Sequence, residues 1–339
     1  MNSLTKPKII NEYFQENGYV LVEDVLDPKT VLDPIISEYE KVLDNLCKEL
    51  YEKKEIKSLY SDLEFDERII KVYNETGKNY AYYFDFHLPF KNVKPDTPFW
   101  CGPAVFNALI NKNLLDIVEE LIGGEITSNP VQHVRIKPPE NRLPKDEDGF
   151  PLIGATIWHQ DHGVVTEDAD ETDMITVWFS LTDTPVEAGP LKVVPGSHKG
   201  DLLTHCLDYE GNGEEFKKSR QIPTKLFSHE EGIPLPMKRG SAIFMHKRTV
   251  HSSLPNISNR MRWSFDLRYN PTGQNTGRTM FPGFVARSRN YPESELRDPI
   301  VWRNMWLECR EKMSRINQEG SDDINKFSRW SDGHPDCES

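Results

Sequence analysis

Apolar residues recur along the chain with two different periods. Between Leu32 and Leu50 they recur every three or four residues, which predicts a long helix with one buried face. Between Met261 and Tyr269 apolar and polar residues alternate strictly, which predicts a strand with one apolar and one polar face. The pattern therefore predicts helices in the first part of the chain and β-structure after about residue 126.

Shorter segments complete this picture. Helices are predicted over residues 9–16, 114–121 and 298–316, and strands over residues 19–22, 131–137, 174–181 and 241–245. We expect one domain over residues 1–339, with helical support over about 1–125, a β core over about 126–270 and a helical extension over about 290–320. The polar tail after Gly320 is expected to be loosely held.

A metal-binding pattern lies within the predicted β core. If residues 157–161 form a strand, His159 and Asp161 share one of its faces while Gln160 points away. His251 adds a second imidazole from a distant strand. Two histidines and one carboxylate are typical of non-haem Fe(II) sites, which keep open positions for a chelating cosubstrate and O2. A lone His-x-Asp occurs often by chance, so the case for a metal site depends on the surrounding residues.

The alternating strand supplies a candidate anion site. Its polar face carries Arg262, Ser264, Asp266 and Arg268, as expected of a strand that lines a polar barrel lumen. A guanidinium matches a carboxylate in both geometry and charge, so Arg262 is a candidate for holding one. The alternative for Arg262 is an ion pair with Asp266.

Strand parity separates the other histidines from the metal ligands. His162 and His246 lie at odd separations from the nearest ligand, so in regular strands they face away, and His198 lies in a predicted turn. His133 and Arg135 share one face of their strand. They either enter the lumen, where they touch cosubstrate or substrate, or they face away from it.

The net charge of −13 argues against nucleic acid or an anionic membrane surface as the main partner. No apolar run reaches the roughly 18 to 20 residues of a membrane span, and the amino terminus lacks an apolar signal core. We expect a small-molecule substrate and a cytoplasmic protein, and the sequence does not indicate an oligomeric state. Six basic residues either select an acidic substrate or serve as surface charges and internal salt bridges: Lys247, Arg248, Arg268, Arg278, Arg287 and Arg289.

The five cysteines are an odd number, widely spaced and without a CxxC pair. This pattern predicts reduced thiols in a reducing compartment and no disulfide framework or zinc site.

Four motifs in this order resemble the phytanoyl-CoA dioxygenase family of Fe(II)/2-oxoglutarate enzymes: residues 158–161, 176–178, 187–198 and 251–264. The resemblance implies a double-stranded β-helix, a jelly-roll relative of the cupins, so the expected fold class is mainly β with flanking helices (α+β). It makes His159, Asp161 and His251 the iron ligands. It also implies that Arg262, helped by Ser264, holds the distal carboxylate of 2-oxoglutarate, and that Trp178 lines that pocket.

The family implies an oxidation of a small metabolite that uses Fe(II), 2-oxoglutarate and O2 and releases succinate and CO2. Halogenating members carry a small residue in place of the carboxylate ligand, so Asp161 favours hydroxylation of an aliphatic C–H bond. Desaturation or oxidative cyclisation would use the same ligands. The alternatives from other classes are a non-catalytic cupin-like binding protein and a cupin enzyme that uses Zn or Mn without 2-oxoglutarate.

Overall fold

The computed structural model describes residues 7–89, 91–145, 149–207, 220–318, 329–330 and 333–338. Its strands, in chain order, are β1 (Tyr19–Val22), β2 (Glu125–Lys137), β3 (Ile175–Ser180), β4 (Leu191–Val193), β5 (Cys206–Leu207), β6 (Arg220–Gln221), β7 (Ile233–Pro234), β8 (Ala242–His246), β9 (His251–Ser253), β10 (Arg262–Pro271) and β11 (Phe284–Ser288). Its α-helices are α1 (Pro7–Asn17), α2 (Asp33–Glu52), α3 (Phe65–Thr76), α4 (Ala81–Phe84), α5 (Pro103–Leu109), α6 (Lys112–Ile122) and α7 (Pro299–Gln318).

Two antiparallel sheets form the β core. The larger has six strands in the order β1-β8-β3-β10-β2-β11, and the smaller has three in the order β7-β4-β9. Trp178 and Ile243 of the large sheet pack with Leu191 and Val193 of the small one, so the two sheets face each other. The predicted double-stranded β-helix with flanking helices is confirmed.

The helices cover the outer face of the large sheet. In β10 the apolar residues point outward, where Trp263 and Phe265 contact Tyr39 of α2 and Trp263 also stacks near Phe65 of α3. The predicted long helix is α2, preceded by a π-helical turn, Pro28–Leu32, that Asp27 caps by accepting from Thr30 N at 2.8 Å. Because α2 turns its apolar stripe inward, the polar face of β10 lies towards the lumen.

The prediction of a strand over residues 157–161 is wrong. His159 makes only an isolated bridge to His251, and a 3-10 turn, Asp161–Val164, follows immediately. At this point the side chain of Gln160 binds loop carbonyls, donating to Arg248 O at 2.7 Å. The two ligands nevertheless end on the same side of the segment.

Strand β2 begins at Glu125, earlier than predicted, and continues through Pro130. The register between β2 and β10 shifts between Asp266 and Arg268, so Pro130 lies in a bulge. Proline has no N–H group, and at this position none is needed for a hydrogen bond to the neighbouring strand.

A disulfide joins Cys206 of β5 to Cys337 near the end of the chain, so the prediction of five reduced thiols is wrong for this pair. The other cysteines, Cys47, Cys101 and Cys309, are free and buried. The pair is separated by 131 residues, so local spacing gave no sign of it. The compartment and cytoplasmic location stay predictions. In the part of the chain that the structure describes, no helix is long and apolar enough to cross a membrane.

The described tail residues are held rather than loose, which corrects the expectation for this segment. Arg329 pairs with Asp170, and Trp330 Nε1 donates to Gly163 O at 3.0 Å. The tail therefore packs against the turn that follows Asp161.

Candidate metal centre and cosubstrate pocket

The structure brings His159, Asp161 and His251 together at one point of the lumen. One ligand atom from each lies within 4.8 Å of the other two, and the imidazole centroids of the two histidines are 4.1 Å apart. Reciprocal backbone hydrogen bonds of 2.9 Å between His159 and His251 hold the two segments side by side. This spacing suits a single metal ion bound by three protein ligands.

Backbone carbonyls orient both imidazoles. Nδ1 of His159 lies 2.9 Å from Ile157 O, and Nδ1 of His251 lies 2.9 Å from Thr249 O. A carbonyl only accepts, so each Nδ1 carries the proton and each Nε2 keeps its lone pair for a metal. Burial, with a contribution from His251, lowers the pKa of His159 to about 3, which keeps this ligand neutral.

Two lumen residues fix the carboxylate of Asp161. Arg268 Nη2 donates to Oδ1 at 2.6 Å, and the Thr176 hydroxyl donates to Oδ2. Burial by itself raises the pKa of Asp161, but Arg268 and the two histidines outweigh it and hold this pKa below its usual range. The carboxylate is therefore ionised and oriented. Sequence reasoning placed Arg268 on the lumen face but missed this role; its shared parity with Arg262 was the available signal.

Arg262 is buried and has hydrogen-bond donors without partners in the described part of the chain. It is 1% exposed, Nη1 donates to Ser264 Oγ at 3.0 Å, and the guanidinium lies 5.6 Å from the ring centroid of Trp178. Nε and Nη2 have no hydrogen-bond partner among the described residues. Buried donors are rarely left unpaired, so this pocket fits a carboxylate.

The alternative role for Arg262 is not observed. Asp266 instead accepts from Arg135 Nε at 3.1 Å. Arg262 therefore has no carboxylate partner of its own within the described chain, and its free donors fit the distal carboxylate of 2-oxoglutarate.

A cavity of about 460 Å³ adjoins the segment that leads into the metal motif. His133 and Arg135 line it, and they lie directly opposite Asp266 and Ser264 of β10, so they extend to the polar lumen face rather than facing away. His133 Nδ1 lies 2.7 Å from Asp85 Oδ2, and burial raises the pKa of Asp85 to about 7. Asp85 was not singled out from the sequence, because its segment has no clear period.

The aromatic segment around Asp85 serves two purposes. Phe84 and Phe86 belong to the core, whereas Tyr82 lines the cavity. The histidines at odd separations lie outside the triad: His162 contacts Asp170, and His246 packs against His198.

All six basic residues considered for an acidic substrate have partners inside the protein. Arg268 pairs with Asp161, Arg287 and Arg289 pair with Glu119, and Lys247 donates to Thr172 O at 2.7 Å. Arg248 Nη1 donates to Gly200 O, and Arg278 donates to Val164 O. These contacts favour structural roles for the group.

Comparison with known proteins gives a consistent result. The profile of the Phytanoyl-CoA dioxygenase (PhyH) family matches residues 14–264. A Phytanoyl-CoA dioxygenase domain-containing protein 1 homolog of Caenorhabditis elegans is 23% identical over 286 residues, covering 76% of this chain and 88% of that protein. A Phytanoyl-CoA dioxygenase of Arabidopsis thaliana is 29% identical over 114 residues, covering 34% of this chain and only 38% of that protein.

A solved structure supports the fold. The apo form of ThoJ, a non-heme monooxygenase, superposes with a TM-score of 0.56 at 15% identity, covering 92% of this chain and 99% of that one. Because the profile matches most of its length, the chain belongs to the phytanoyl-CoA dioxygenase family of iron- and 2-oxoglutarate-dependent dioxygenases, and its two-histidine, one-carboxylate cluster is the candidate metal centre.

Proposed function

We propose that this protein hydroxylates an aliphatic C–H bond of a small-molecule metabolite. In the balanced reaction the substrate R–H, 2-oxoglutarate and O2 give R–OH, succinate and CO2. The observation that carries the proposal is the carboxylate of Asp161, ionised and fixed between Arg268 and Thr176. Halogenating relatives have a small residue in this place, so a fixed carboxylate supports transfer of oxygen.

Iron and 2-oxoglutarate, when bound, supply the oxidising chemistry. The protein residues bind and orient these groups. His159, Asp161 and His251 are the ligand set for iron, and Arg262 with Ser264 is the donor set for the distal carboxylate of the cosubstrate. These side chains have fixed hydrogen-bond partners, so the site is organised before substrate arrives.

The cavity beside the centre supports a small polar substrate. Its volume of about 460 Å³ is that of a small-molecule site. Its polar lining includes Arg135, which is paired with Asp266 and has a side chain 45% exposed, and the partly buried pair of Asp85 and His133. The exposed guanidinium of Arg135 is the cation best placed to contact an acidic group of the substrate.

The test is aerobic incubation with Fe(II), 2-oxoglutarate and pools of metabolites, with succinate and product mass measured together. Hydroxylation predicts equal amounts of succinate and of a product that gains one oxygen atom. Asp161→Ala should abolish both, because it removes a proposed iron ligand, whereas Asp62→Ala, at an exposed turn, should change neither.

Other products would refute the proposal in distinct ways. A product that loses a hydrogen pair would indicate desaturation or ring closure at the same centre. Binding of metabolites without succinate from any pool would indicate a non-catalytic protein.

A further inference from the structure

Two buried cations face each other on neighbouring strands of the large sheet. Lys137, the last residue of β2, is directly opposite Arg262 of β10 in the antiparallel register. Directly opposed residues extend to the same face of a sheet, here the lumen face. Lys137 is 7% exposed and Arg262 is 1% exposed. Like charges at such a position repel and destabilise the pairing, and burial strengthens the repulsion.

Among the described residues no carboxylate forms an ion pair with Lys137 or Arg262, although the charge of Glu140 acts on both from a longer distance. Asp266 is paired with Arg135, and Asp161 is paired with Arg268. Lys137 Nζ instead donates to two hydroxyl groups, Thr156 Oγ1 at 2.9 Å and Ser253 Oγ at 3.2 Å. Hydroxyl groups solvate an ammonium group without balancing its charge.

The energetics of the pair point to a missing anion. Burial first, and then the charge of Arg262, lower the pKa of Lys137 well below its usual range. Arg262 meanwhile keeps Nε and Nη2 without partners. An anion bound between the two side chains would accept hydrogen bonds from both and remove the repulsion.

We propose that Lys137 binds the distal carboxylate of 2-oxoglutarate together with Arg262, as a second cation of the same site. This inference rests on the proposed function, since it assigns a further residue to its cosubstrate. Lys137 also borders the substrate cavity. The cosubstrate is favoured over a substrate anion because Arg262, directly across the strand pair, has the free donors to share the carboxylate.

The test compares two ligands that differ only at the distal end. The Fe(II) protein is titrated without O2, once with 2-oxoglutarate and once with 2-oxopentanoate. The second ligand has a methyl group in place of the distal carboxylate. The visible charge-transfer band of the chelate reports binding without turnover. The variants are Lys137→Met, which keeps most of the length of the side chain but removes its charge, and Lys137→Arg, which keeps the charge.

Lys137→Met should weaken 2-oxoglutarate binding by about 10- to 100-fold, as loss of a charge-assisted hydrogen bond in a buried site predicts. The same variant should leave 2-oxopentanoate affinity unchanged, and Lys137→Arg should recover part of the loss. Lys112→Met, at an exposed lysine paired with Asp116, is the matched control and should bind both ligands as the wild type does.

Equal weakening of both ligands would show that Lys137 only supports the structure, and unchanged 2-oxoglutarate affinity would assign it to another ligand. Either result overturns the inference while leaving the cosubstrate site in place. Failure of the wild-type protein to bind 2-oxoglutarate would overturn the proposed function and this role with it, and it is visible before any variant is made.

Discussion

The disulfide between Cys206 and Cys337 should contribute strongly to stability, and Cys337→Ser tests this. The bond closes a loop of 131 residues, for which the chain-entropy relation gives about 5 kcal/mol at 25 °C, while measured disulfides typically give 2 to 4 kcal/mol. A chain of 339 residues has an unfolding entropy of about 0.7 kcal/mol per kelvin. The expected fall in melting temperature is therefore about 3 to 7 °C.

Differential scanning calorimetry of both proteins, with and without dithiothreitol, measures the effect. Reductant should lower the melting temperature of the wild type to that of Cys337→Ser and should not affect the variant, which controls for the substitution itself. Amide hydrogen exchange should quicken around Gly163 and Asp170, because the tail residues Arg329 and Trp330 hold that turn. An equal response of both proteins to reductant, or no response in either, would refute the reasoning.

Three further perturbations follow from the structure. Asp85→Asn keeps a neutral group beside His133. Folding raises the pKa of Asp85 from 3.8 to about 7, so the wild type loses stability as the pH rises through that range. Urea unfolding should show the wild type losing about 2 to 3 kcal/mol relative to the variant between pH 5 and pH 8. Parallel pH curves would contradict this, because the buried histidines are common to both proteins. Arg268→Met removes the donor to Asp161 and should weaken Fe(II) binding about 10- to 100-fold in anaerobic titration, with unchanged affinity as the contrary result. Phe265→Ala opens the core between sheet and helices and should lower the unfolding free energy by about 3 to 5 kcal/mol, whereas a loss below 1 kcal/mol would mean that the site is not packed as described.

The spacing of apolar residues predicted which face of a single strand or helix is buried. Strict alternation in β10 placed Arg262 and Arg268 in the lumen and Phe265 in the core, because a strand has only two faces. The stripe of α2 was equally informative, since its apolar residues meet that same core.

Contacts between distant segments were beyond such reasoning. Asp85 reaches His133 across 48 residues, and Cys206 reaches Cys337 across 131, so no local pattern links the partners. The segment around His159 forms a bridge and a turn instead of a strand, and Gln160 there binds a carbonyl 88 residues away, which no local pattern indicates. Lys137 shares the parity of His133 and Arg135, but its significance emerged only from the register that sets it opposite Arg262.

The central claim is that His159, Asp161 and His251 bind iron while Arg262 holds 2-oxoglutarate beside it. Anaerobic addition of Fe(II) and then 2-oxoglutarate tests this most directly, because the visible charge-transfer band requires the cosubstrate to chelate bound iron. The wild type should develop the band, and His159→Ala should not. Iron binding by the wild type without the band, or an undiminished band in His159→Ala, would contradict the account.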